Sequence, residues 1–246
     1  MRACSPLRAA PPRASYQAER PRRYSDVQNC PEPCRLEHPQ LLSESALLTG
    51  TIPAAWAALS SLQYLGISGN ALTGTLPAWM AQLPLIELGV NENALSGTIA
   101  LLTEGAPSLT YLAASGNKFT GSIPAAIGRM TALKYLALNS NLLGGTLPPP
   151  ELSLMASLEE MYLMKNRLSG TLPPQLGALQ NLLILGVGDC LLEGTLPASY
   201  ANMTSLFFMA LYNNAFSGTL PPEYGAMPAL GYLCVPPCAA EQRRKV

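Results

Sequence analysis

Apolar residues in this chain recur in one fixed register. The recurring run has the form L-x-x-L-x-L, and Leu62, Leu65 and Ile67 make one copy of it. Its second half alternates apolar and other residues. Alternation at a period of two puts neighbours on opposite sides of an extended chain, so the run predicts a short strand. Leu65 and Ile67 then point inward, and Tyr64, Gly66 and Ser68 point outward. A second alternation follows at Leu72-Thr-Gly-Thr-Leu76 and predicts a second, shorter strand. Pro77 cannot donate to a ladder, so it ends that strand. The block returns from Leu85, Leu109, Leu133, Leu158, Leu182, Leu206 and Leu230. A Gly-Thr/Ser-Leu/Ile triplet marks it at Gly50, Gly74, Gly97, Gly121, Gly145, Gly170, Gly194 and Gly218, in steps of 24, 23, 24, 24, 25, 24 and 24 residues. Self-similarity at such a period is the mark of a solenoid. Stacked turns share one continuous core, which makes one domain of the whole run.

The polar positions keep the same register. Asparagine follows six of the eight predicted strands, at Asn70, Asn93, Asn117, Asn141, Asn166 and Asn214. Its side chain both donates and accepts, so it can satisfy backbone groups that a turn leaves unpaired. Stacked turns are expected to build an asparagine ladder from these residues.

Written out, the unit is L-x-x-L-x-L-x-x-N-x-L-x-G-x-L/I-P. It is the plant-type leucine-rich repeat. Over about residues 49–238 the chain resembles the extracellular repeat domains of plant receptor-like proteins, receptor kinases and polygalacturonase inhibitors. The resemblance implies an α/β fold, a leucine-rich-repeat solenoid wound as a curved right-handed superhelix. A parallel sheet would line its concave face, with short 3₁₀ turns and a second short sheet elsewhere. The chain departs from those receptors in carrying no kinase domain, no membrane-spanning stretch and no evident tryptophan-containing N-terminal cap. The expected organisation is a disordered Arg/Pro/Ala-rich leader over 1–28, an N-terminal cap over 29–48, repeats with a C-terminal cap over 49–238, and a basic tail over 239–246.

Charge changes the picture at the ends. Residues 1–35 hold seven arginines against three acids, whereas residues 36–240 hold five basic and eleven acidic residues. A repeat region at −6 is a poor partner for nucleic acid, whose binding rests on phosphate neutralisation. Residues 1–28 hold no apolar run long enough for a secretory signal core, and no segment is long enough to span a membrane. The first residues, acid-free and with arginines and serines, loosely resemble an organelle transit peptide. A plain disordered tail and a mis-started product are the other readings.

Six cysteines add a further constraint. Cys30 and Cys34 precede the first full repeat, and Cys234 and Cys238 sit in the last. Solenoid ends need capping, and these pairs look like the disulfide caps of secreted repeat proteins, which implies an oxidising compartment. Four reduced thiols are the alternative. Cys190 stands at a ladder position and reads as a buried, inert substitute for asparagine. No metal is expected: the two pairs lie at opposite ends, and His38 is the only histidine. That lone histidine also leaves no nucleophile–base arrangement, so neither enzyme nor cofactor is expected. Glu159 and Glu160 are neighbours on a strand and point to opposite sides. Glu87 and Glu160 share a face three turns apart.

The outward strand positions form three rows. The first is Tyr64, Glu87, Tyr111, Tyr135, Glu160, Ile184, Phe208 and Tyr232. The second is Gly66, Gly89, Ala113, Ala137, Tyr162, Gly186, Ala210 and Cys234. The third runs through Ser68, Asn91, Ser115, Asn139, Met164, Gly188, Tyr212 and Pro236. An aromatic row beside small residues predicts a shallow groove, and tyrosine offers contact area with a polar tip. The expected binding residues are Tyr64, Tyr111, Tyr135, Tyr162, Met164, Ile184, Phe208, Tyr212 and Tyr232. A protein, peptide or cell-wall glycan is the expected partner, outside the cell or at its surface; an intracellular or organellar setting is the alternative. A second function class rests on the hydroxyl residues that flank each repeat glycine, from Thr49 and Thr51 onward. If each glycine points inward, Thr75, Thr98, Thr146, Thr171 and their neighbours form a flat Thr-x-Thr array, similar to the ice-binding face of some repeat antifreeze proteins. Gly144 and Glu193 interrupt it.

Overall fold

The structure is a computed structural model of the chain, and it describes residues 47–99 and 106–235. The expected leader (1–28), nearly all of the cap (29–48) and the tail (239–246) lie outside those residues, as do Cys4, Cys30, Cys34, His38, Pro236 and Cys238.

Sixteen short strands follow one another among the described residues. They are β1 (Thr49–Thr51), β2 (Tyr64–Gly66), β3 (Ala71–Thr73), β4 (Glu87–Gly89), β5 (Ser96–Thr98), β6 (Tyr111–Ala113), β7 (Lys118–Thr120) and β8 (Tyr135–Ala137). Then come β9 (Gly144–Gly145), β10 (Glu160–Tyr162), β11 (Arg167–Thr171), β12 (Ile184–Gly186), β13 (Leu191–Gly194), β14 (Phe208–Ala210), β15 (Ala215–Phe216) and β16 (Tyr232–Cys234). The even-numbered strands form one parallel sheet of eight, in strict chain order. Its register joins equivalent repeat positions: Tyr64 faces Glu87, then Tyr111, Tyr135, Glu160, Ile184, Phe208 and Tyr232 follow along the row.

Behind the sheet the leucines stack in columns. Leu88, Leu112, Leu136, Met161, Leu185 and Met209 form one column, and Val90, Ala114, Leu138, Leu163, Val187 and Leu211 form the next; all are buried. Five-residue 3₁₀ turns after the repeat prolines close most turns, for example Ala125–Arg129 and Pro174–Ala178. The turn whose glycine step is 25 residues differs: there a short α-helix, α1 (Pro149–Leu152), replaces the 3₁₀ turn. The extra residue makes room for a full α-turn, and Pro149 pre-sets the first helical dihedral.

The asparagines tie the turns together. Asn141 accepts from the Phe119 N–H at 3.1 Å and donates to the carbonyls of Ala114 and Leu138 at 3.0 Å each. Asn93, Asn117, Asn166 and Asn214 repeat this pattern between their own turns. Asn70 accepts from Leu48 and donates to Ile67 and Ser68. Cys190 fills the one vacant rung, reaching the carbonyls of Leu163 and Gly188 at 3.6 Å each. Burial pushes its thiol above the ordinary range, while backbone donors at Asn166 and Leu168 oppose the shift. The residue before each rung turns the chain in the left-handed region: Gly69, Glu92, Gly116, Ser140, Lys165, Asp189 and Asn213.

The odd-numbered strands make the second sheet in three parts: β1 with β3, β5 with β7, and β9, β11, β13 and β15 together. Isolated bridges at Thr75–Ser96 and Ser122–Gly144 join the parts.

Candidate functional site

The outward face of the eight-stranded sheet carries the predicted binding residues, each at its expected row. The register places Tyr111 and Tyr135 side by side, and their rings stack at 4.4 Å and 10°. Tyr162, one row over, tilts toward Tyr135 at 5.7 Å. Its hydroxyl donates to Glu160 Oε2 at 2.7 Å. Glu160 is thereby roofed and only 8% exposed. Burial raises its carboxyl above the ordinary value, Tyr162 opposes that shift, and the charge of Glu159 adds to it. Burial, followed by the hydrogen bond to Glu160, drives the Tyr162 hydroxyl up as well.

Toward the C-terminal end the face is apolar. The Phe207 and Tyr232 rings meet edge to face at 5.3 Å, and Phe208 lies 6.1 Å from Tyr232. Phe207 is 49% exposed and Tyr232 42%. Phe207 was not among the expected binding residues. It sits before the strand and its alternation points it off the face, but Gly231 of the next turn has no side chain and the ring leans over it. Tyr64, at the other end of the row, is exposed, and Ile184 is half-buried between Glu160 and Phe208.

The expected shallow groove is filled over part of its length, around Gly186 and Gly188. Ala113, Ala137, Gly186 and Ala210 are buried. Larger neighbours fall across these gaps: a Cβ on Gly186 would meet the Met164 sulfur at 3.1 Å, and one on Gly188 would meet the Tyr212 ring at 2.8 Å. Met164 and Tyr212 also meet each other, the hydroxyl 3.7 Å from the sulfur. Between β10 and β14 the face is paved by these side chains. On its flank Lys134, Ser157, Glu159, Asn181, Leu183 and Ser205 line a shallow depression of about 390 Å³. Lys134 and Glu159 pair across it at 3.0 Å.

The threonine surface also differs from expectation. Thr51, Thr75, Thr98, Thr146, Thr171, Thr195 and Thr219 are all exposed. They do not form a rectangular grid, because Thr51 pairs with Thr73, Thr75 with Ser96, and Thr98 with Thr120. Each residue after a glycine thus lies beside the residue before the next glycine, and the array steps by two residues, about 7 Å, at every turn. The repeat glycines set this stagger. They do not point inward; a Cβ on Gly74, Gly97 or Gly170 would strike the exposed threonine methyl of the preceding turn at 2.9, 2.8 or 2.9 Å. The methyl lodges in the notch that the glycine leaves. Hydroxyls in the other column are spent internally: Thr73, Ser96 and Thr120 donate to the carbonyls of Gly50, Gly74 and Gly97.

Cys234 is in a disulfide whose partner lies outside the described residues, and Cys190 is a free, buried thiol. No group of three or more metal-ligating side chains occurs among the described residues. None of their helices is long and apolar enough to cross a membrane.

The family model for the Leucine Rich Repeat matches residues 61–83, 108–130 and 157–179. The solved plant peptide hormone receptor RGFR1, in complex with RGF2, is 33% identical at a TM-score of 0.73, over 75% of this chain and 30% of that one. The described repeats of this chain are leucine-rich repeats of the plant type. Its repeats are also similar to the Arabidopsis receptor kinase HAESA, solved with the peptide hormone IDA and the co-receptor SERK1, at 30% identity and a TM-score of 0.64 over 77% of this chain and 36% of that one. A plant ice-binding protein is 24% identical at a TM-score of 0.58, over 78% of this chain and 65% of that one, and shares the fold alone. This leucine-rich-repeat chain spans about a third of the length of the two receptor chains, 30% and 36%. Curated proteins give no match.

Proposed function

We propose that the protein is a non-enzymatic recognition module that holds a peptide or protein segment on the face of its eight-stranded sheet. The observation that carries this reading is the exposed aromatic rim. Tyr64 and Tyr232 are 38% and 42% exposed in the same face row as the stacked Tyr111 and Tyr135, and the Phe207 ring packs against Tyr232 from the edge of that face. Aromatic anchors on a rigid scaffold supply contact area at low entropic cost. The peptide hormones in the RGFR1 and HAESA complexes support the partner class. The setting we infer is extracellular or cell-surface, and the disulfide at Cys234 supports it.

The test is a peptide-display selection on the full chain and on a variant with Tyr162→Ala, Phe208→Ala and Tyr212→Ala. Wild type should enrich sequences that the variant does not retain. Equal enrichment by both proteins, or none by wild type, overturns the reading. An array of cell-wall glycans run in parallel separates a carbohydrate ligand from a peptide.

A further inference from the structure

We infer that the face takes a doubly basic extended peptide, whose two arginines, four residues apart, meet the carboxylates of Glu87 and Glu160. This rests on the reading of the face as a peptide site and names the chemistry of its occupant.

The strand register sets the argument. Across four adjacent strands the first row reads Glu87, Tyr111, Tyr135, Glu160. Two carboxylates thus bracket a stacked tyrosine pair. Three strand spacings separate them, about 14 Å. An extended peptide crossing the strands covers that distance in four residues, at about 3.4 Å each. Residues i and i+4 of such a peptide share one face, and residue i+2 lies on the same face above the tyrosines.

Charge points to a cation. The face and its bordering turns hold Glu87, Glu92, Glu159, Glu160 and Asp189 against Lys134 and Lys165. Lys134–Glu159 is the only ion pair among the described residues, so Glu87 and Glu160 have no cationic partner there. Glu160 is the more telling of the two. Its Oε2 accepts from Tyr162. Its Oε1 has no hydrogen-bond partner, and no fully buried side-chain oxygen among the described residues lacks one. Oε1 is therefore the atom that Glu160 turns to the surface. A largely desolvated carboxylate with one open oxygen gains most from a charge-assisted, planar donor. Arginine fits better than lysine, since its guanidinium can also lie against the ring of Tyr162 or Tyr135.

The experiment uses the full chain and four capped five-residue peptides, titrated by calorimetry. The lead peptide has arginines at positions 1 and 5 and tyrosine at 3. The others move the second arginine to position 4, replace both arginines with glutamine, or replace both with glutamate. The lead should bind, and each other peptide should bind about tenfold or more weaker, the size of one lost charge-assisted contact. Glu87→Gln and Glu160→Gln should each weaken the lead by a similar factor without changing the glutamine peptide. Glu87 is half-buried and its carboxylate makes no hydrogen bond, so its variant keeps the test valid if Glu160→Gln perturbs the fold. Equal affinity for the peptides, or a lead insensitive to both variants, overturns the inference. Display peptides that need the face but lack paired basic residues overturn it while leaving the peptide-site reading intact. Display that yields no face-dependent peptide overturns that reading first.

Discussion

Asn141→Leu isolates what one rung of the ladder contributes. Leucine is close in volume but offers neither donor nor acceptor. Asn141 is 6% exposed and meets four backbone groups. Three of these keep another partner when the amide goes: the Ala114 carbonyl keeps Asn117, the Leu138 carbonyl keeps Asn166, and the Asn139 carbonyl keeps the Gly116 N–H. The Phe119 N–H alone is orphaned. A buried unsatisfied donor costs about 1–3 kcal/mol, and the two lost amide donors add about 1 more, for a total of about 2–4 kcal/mol. Urea denaturation followed by circular dichroism measures it, with Asn181→Ala as the control. Asn181 is exposed and holds the Ala156 carbonyl at 2.9 Å, so its loss should cost under about 0.5 kcal/mol. The converse change, Cys190→Asn, replaces two 3.6 Å sulfur contacts with amide bonds and should stabilise by about 1 kcal/mol. Matching midpoints for Asn141→Leu and wild type would refute the reasoning.

The remaining predictions concern the glycine notch and the buried carboxyl. Gly170 has φ +77° and the Thr146 methyl 2.9 Å from a would-be Cβ, whereas Gly50 has φ +88° and open space. Gly170→Ala should therefore lose clearly more stability than Gly50→Ala, whose cost is the left-handed backbone alone, about 1–2 kcal/mol; equal losses in thermal melts would count against the notch. Burial raises the folded-state pKa of Glu160 above its ordinary 4.5. The folded chain then holds that proton more tightly than the unfolded chain, so stability falls as pH rises through the window above 4.5. Glu160→Gln should flatten that decline, and an unchanged pH profile would deny the carboxyl its part.

Much of this was legible in the sequence for a physical reason. Leu-x-Leu alternation and a constant glycine step set both the strands and the inter-turn register, so the face rows could be read directly. Features that depend on contacts between turns were not. Met164 folds over Gly186 and Tyr162 over Glu160, and neither lean follows from the period within one repeat. The stagger of the threonines comes from a methyl seated on the next turn's glycine, and the reading of an inward glycine missed it. The left-handed residue before each rung was hidden because only Gly69, Gly116, Asp189 and Asn213 are residue types that signal it; Glu92, Ser140 and Lys165 adopt it under the same ladder constraint.

The proposal places recognition on the eight-stranded sheet and not on the threonine surface. Its most direct test is the affinity of one display-selected peptide, measured by calorimetry, for three forms of the chain. These are wild type, the Tyr162→Ala/Phe208→Ala/Tyr212→Ala variant, and a Thr75→Lys/Thr98→Lys/Thr146→Lys/Thr171→Lys variant. The two surfaces belong to different sheets, so the changes act independently. The account predicts that the alanine variant loses about a hundredfold or more in affinity, about 2.7 kcal/mol, while the lysine variant binds as wild type does. Loss of binding in the lysine variant with retention in the alanine variant would contradict it, as would thermal hysteresis in wild type that the lysine variant abolishes.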